Sequence, residues 1–100
     1  MPRYHLSNQA RADLRNIARY TTQKWGIDQA RRYTDSLLQC LERIAGSPLL
    51  GRPCDQIQKG YRRMEQGRHV VFYRQDENGV FIGRILHQSM LPDERVMDNS

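Results

Sequence analysis

The chain has 100 residues, 38% of them apolar and 27% charged, the size of one ordinary domain and enough to bury roughly two thirds of its unfolded surface without a metal or cofactor. Sixteen Lys and Arg against eleven Asp and Glu give a net charge of +5, which favours encounters with nucleic acid or an acidic protein without choosing between them. Large multi-substrate enzymes are excluded, and so is a membrane-spanning helix, because apolar runs such as residues 70–73 fall far short of the roughly 20 residues needed.

A single domain over residues 1–100 is expected, in a soluble protein. Residues 1–6 carry no apolar signal core, which points to a cytoplasmic address. Residues 3–6 read as a short strand, after which Ser7 offers a hydroxyl to cap a helix running to about Trp25. Ala10, Leu14, Ile17, Ala18, Thr21 and Trp25 recur at separations of three and four and form its buried stripe. Arg11, Arg15 and Arg19 make a basic stripe facing outward. Gly26 closes this helix, and a second is expected over residues 28–45, with Ala30, Tyr33, Leu37, Leu38, Leu41 and Ile44 buried. Gly46, Ser47 and Pro48 end it.

Residues 49–60 show neither a helical nor a strand period and read as a connecting loop, with Leu49 and Leu50 plugging the edge of the core. Three strands follow, at 61–65, 69–74 and 80–86, joined by Gln66-Gly67 and by a turn ending in Asn78-Gly79. Three consecutive strands make an antiparallel meander, and the two helices must cover one of its faces, where Phe72 and Phe81 suit the packing. The expected fold class is α+β, with the opening strand joining the sheet as an added edge.

Chemistry-bearing motifs are few. Cys40 and Cys54 form no CxxC or Cys/His cluster, so free structural thiols are expected and no metal site. No phosphate-binding Gly loop, HExxH helix or paired-carboxylate motif occurs. Fourteen of the sixteen basic residues are Arg, only Lys24 and Lys59 being Lys. Arg62, Arg63, Arg68, His69, Arg74, Arg84 and His87 fall on the strands or their ends. Such a set can hold a phosphodiester while a His moves a proton, but strand residues alternate faces, so Arg62 and Arg63 point oppositely and only part of the set can converge. Aromatic residues interleaved with these arginines serve base stacking or, more economically, core packing.

The elements ADLRNI and WG in the first half, GRP at residues 51–53, HVVFYR at 69–74 and VFIGRILHQSMLPDERV at 80–96 together resemble the ParE branch of the RelE/ParE toxins of type II toxin–antitoxin modules. The resemblance implies a RelE/ParE-like fold, no cofactor, inhibition of DNA gyrase by binding, and neutralisation by a ParD-like antitoxin. An antitoxin tail folding onto the hairpin and sheet edge would meet Arg11, Arg15, Arg19, Tyr61, Arg63 and Arg84. The apolar tail, with Leu91, Pro92, Arg95 and Val96, is the expected gyrase contact. RelE relatives instead cut ribosome-bound messenger RNA, and here Arg63, Arg84 and His87 are the residues for that alternative.

Overall fold

The computed structural model describes residues 3–90. Strand β1 (Tyr4–Leu6) leads into helix α1 (Asn8–Trp25), and helix α2 (Ile27–Gly46) follows after Gly26 alone. Ser7 is the expected cap: its Oγ accepts from Ala10 N–H at 2.9 Å. The same hydroxyl donates to the Gly83 carbonyl at 2.7 Å, which fixes the helix start against the sheet. Gly26 turns the hairpin with φ +90°, a backbone conformation that costs glycine nothing.

Strands β2 (Arg52–Pro53), β3 (Arg62–Gln66), β4 (His69–Asp76) and β5 (Gly79–His87) complete a five-stranded sheet of order β1-β5-β4-β3-β2. Strand β1 pairs in parallel with β5, as an edge, and all other pairings are antiparallel. A 3₁₀ turn, Gln88–Met90, ends the described chain. The α+β meander with its added edge is thus as expected, while β2 lies inside the segment read as a loop. Two residues carry too little pattern to register as a strand, and Pro53 is tolerated because this is a sheet edge.

Both faces of the sheet are buried. On the helix side, Leu37, Leu41 and Ile44 of α2 and Ile17 of α1 pack on Val71, Tyr73, Val80, Ile82 and Ile85. On the other side, Val70, Phe72 and Leu86 pack with Cys54, Tyr61 and the partly buried Ile57. Residues 54–61 therefore form a second covering layer. Three expectations are corrected by this arrangement. Phe72 and, by alternation along β5, Phe81 face away from the hairpin, and β-branched residues fill the helix side. Leu49, 68% exposed, and Leu50 do not plug the core, since Cys54 and Tyr61 of the same connection do so. Trp25 is 56% exposed, because the last turn of α1 extends past what the sheet and α2 cover. Cys40 and Cys54 are free and buried, as read.

The Gly51-Arg52-Pro53 element has a physical reason. The buried Tyr73 hydroxyl accepts from Gly51 N–H and donates to the Pro48 carbonyl, each at 2.8 Å. A Cβ on Gly51 would lie 2.6 Å from both that hydroxyl and the Arg63 carbonyl. Arg52 reaches Glu65 across the edge at 2.6 Å.

Candidate functional site

The arginines do not form one site. Arg62 donates to the Gly51 carbonyl at 2.7 Å. Arg63, its neighbour, lies on the opposite face with its guanidinium 5.8 Å from the Phe72 ring centroid, and its buried Nε has no hydrogen-bond partner. Arg74 stacks on Phe81 at 4.5 Å. Arg84 is turned toward α1, where its Nε and Nη2 donate to the two oxygens of Asp13 at 2.9 and 3.0 Å. Asp13 also accepts the Ile85 N–H at 2.9 Å. The pair is mostly buried, so the second carboxylate contact and the planar fork make it a rigid tie between helix and sheet.

What converges is a different group, at the end of the sheet beside the hairpin. His69 and His87 are directly opposite on β4 and β5, with ring centroids 5.3 Å apart and planes at 88°. The Tyr33 hydroxyl of α2 lies 2.6 Å from His69 Nδ1 and accepts the Arg68 N–H at 3.0 Å. Gly67, at φ +59°, lets the β3–β4 turn close on the Tyr33 ring. Burial, assisted by the neighbouring His87, pushes the His69 pKa down to about 4, so its ring is neutral at ordinary pH.

These residues floor one end of an open groove of about 680 Å³ along α1, walled by Ile17, Tyr20, Thr21 and Trp25 and closed by Met90. Tyr20, Trp25 and Met90 are large apolar side chains left exposed, a concentration that marks contact surfaces. Periodicity placed Trp25 in the core and gave Tyr20 no role, so this groove was missed. A clue was present: an aromatic pair five residues apart, ahead of a one-residue helix connection.

Of the residues expected to meet an antitoxin, Arg11, Arg15 and Arg19 are all exposed along α1. Tyr61 is not available for contact, being 1% exposed and packed with Val70, Phe72 and Leu86. Arg63 and Arg84 are half-buried, the first beside Phe72 and the second on Asp13. Leu91, Pro92, Arg95 and Val96 lie outside the described residues.

A profile of the ParE toxin of the type II toxin–antitoxin system parDE matches residues 4–92. The chain belongs to the ParE toxin family. It is 47% identical over 90 residues to Toxin ParE1 of Caulobacter vibrioides, a match covering 90% of this chain and 93% of that one. Among solved structures, a chain of the chromosomal ParDE system from P. aeruginosa superposes with a TM-score of 0.74 at 18% identity, covering 87% of this chain and 96% of that one. A chain of the toxin–antitoxin complex RelBE2 from Mycobacterium tuberculosis does so at 0.65 and 21%, covering 87% and 99%. These two likenesses place the ParE fold beside that of a RelE-type system. Among the described residues no helix is long and apolar enough to cross a membrane.

Proposed function

We propose that this ParE-family toxin inhibits DNA gyrase by binding it, without catalysis of its own, and is held inactive in the cytoplasm by a ParD-like antitoxin. The observation that carries the non-enzymatic part is the commitment of Arg84 to Asp13. Metal-free RNA cleavage needs cationic groups and a proton-transferring side chain gathered around one phosphate. Arg84 already has a carboxylate on both arms, and Arg63 lies against the Phe72 ring, so neither guanidinium of the set Arg63, Arg84 and His87 is held ready for a phosphate. Family membership supports the toxin role itself, and ParDE as a structural neighbour supports an antitoxin partner.

In this reading the basic stripe Arg11, Arg15 and Arg19 meets carboxylates of the antitoxin, and the gyrase contact is assigned to the tail residues Leu91, Pro92, Arg95 and Val96. The test is a supercoiling assay with purified gyrase. Inhibition with accumulation of cleaved DNA, reversed by the antitoxin encoded in the neighbouring reading frame, is expected. Undisturbed supercoiling at a large excess of the toxin, or codon-linked cuts in the messenger of expressing cells, would reject the proposal.

A further inference from the structure

Helix α1 carries four basic side chains and one acid, whereas α2 carries three of each. The single acid, Asp13, is turned inward onto Arg84, so it does nothing to offset the outward charge of α1. Of the four cations, Lys24 has its ammonium 5.8 Å from the Tyr20 ring centroid. The other three, Arg11, Arg15 and Arg19, follow one another at four-residue intervals and are all exposed. A helix rises 1.5 Å per residue, which sets them about 6 Å apart along one line. None of the three has an ion pair or a hydrogen bond among the described residues.

This stripe does nothing for the fold. Like charges four residues apart slightly destabilise a helix. The arginines of the sheet show the contrast, since Arg52 pairs with Glu65, Arg62 with the Gly51 carbonyl and Arg74 with the Phe81 ring.

The borders of the stripe decide what it suits. Of the residues three and four places along from these arginines none is acidic, and the one large apolar side chain, Leu14, packs against the core. Protein interfaces draw their affinity from apolar and aromatic anchors, exposed charges adding little. A polyanion needs no such anchor, because every phosphate neutralised releases condensed counterions.

We propose that Arg11, Arg15 and Arg19 grip the phosphate backbone of duplex DNA, without reading its sequence. The choice of DNA over RNA rests on the gyrase reading above, since gyrase holds a duplex. In that reading the same guanidinium groups meet the antitoxin's carboxylates, so antitoxin and DNA compete for them and the toxin gains its DNA contact on release.

Binding of a fluorescent duplex of roughly 20 base pairs to the purified full-length chain is followed by anisotropy between about 50 and 200 mM salt. The logarithm of affinity should fall linearly with the logarithm of salt, alike for two unrelated sequences. Replacing the stripe together, with Arg11→Gln, Arg15→Gln and Arg19→Gln, should reduce the slope by about 3, and each single replacement by about 1. A charge-matched control on α2, Arg31→Gln with Arg32→Gln and Arg43→Gln, should leave the slope in place. The stripe variant should melt no lower than the wild type, because it relieves repulsion, and this separates a lost contact from a lost fold.

An unchanged slope in the stripe variant would overturn the proposal, as would an equal loss in the α2 control, which would make net charge the cause. Tighter binding of single-stranded RNA of the same length would overturn it in favour of RNA. A stripe variant that loses antitoxin affinity tenfold and keeps its DNA slope would overturn it in favour of an acidic protein. Gyrase supercoiling is read in parallel. Inhibition by the wild type with no stripe-dependent slope removes this inference alone, and the expected slopes without inhibition remove the gyrase reading alone.

Discussion

Asp13 takes both arms of Arg84, at 2.9 and 3.0 Å, across 71 residues of chain, and accepts the Ile85 N–H as well. Side-chain exposures of 12% and 20% put the pair in the range where losing one partner leaves an uncompensated charge. Asp13→Ala is accordingly expected to destabilise the fold by about 3 kcal/mol, lowering Tm by roughly 15 °C for a domain of this size. Adding Arg84→Met to Asp13→Ala, which removes the charge that would be stranded, should recover much of that loss. Denaturant unfolding of the two variants side by side measures the difference, and equal losses would show that packing, not charge, sets the effect.

Gly51 is wedged between the Tyr73 hydroxyl and the Arg63 carbonyl. A methyl group there forces either the backbone of β3 or a buried ring to shift, so Gly51→Ala should destabilise by about 1–3 kcal/mol. Tyr73→Phe removes the hydroxyl and with it two hydrogen bonds, also at about 1–3 kcal/mol. The double variant should lose less than the sum, since one of the two collisions disappears. A thermodynamic cycle from urea melts reads this coupling, and strict additivity would contradict it.

His69 folds with a pKa near 4 against an ordinary 6.5. Between those values the unfolded chain binds the extra proton, so stability rises with pH there. The contribution is fully present above pH 6.5, drains away as pH falls toward 4, and is constant below. Replacing the ring by His69→Gln should flatten the Tm profile between pH 6.5 and 4 relative to the wild type. Parallel profiles would mean that the ring keeps its ordinary pKa.

Burial raises the pKa of both Cys40 and Cys54, only partly offset by Arg43 beside the first and Arg63 beside the second. Thiolate is the reactive form, and neither sulfur is exposed. Reaction of the native chain with a bulky disulfide reagent should therefore track the opening of the fold and not reagent concentration. Rapid modification, first order in reagent, would show that one thiol is accessible.

Much of the fold was readable along the chain because helix and strand periods are local. The stripe Leu37, Leu41, Ile44 and the turn at Asn78-Gly79 needed no knowledge of the tertiary structure. What covers each sheet face did, and Phe72 was placed on the wrong side because residues 54–61 have no period to announce that they form a layer. The tie between Asp13 and Arg84 was half visible. Asp13 stands three residues after Ala10 and four before Ile17, so helical spacing puts a carboxylate on the buried stripe, where it needs a cation. Which arginine answers it is a matter of contacts 71 residues away. The groove escaped notice for a similar reason: whether Trp25 is covered depends on where the sheet ends.

The parallel pairing of β1 with β5, Tyr4 opposite Val80, joins segments that lie on either side of the helical hairpin and the rest of the meander. Neither the Ser7 tie to Gly83 nor the Asp13 clasp can close until β5 has been made, and such distant pairings are slow to form. The sheet of this fold therefore cannot be assembled outward from its first strand: β1 finds its partner only after the helical hairpin and the meander have been made.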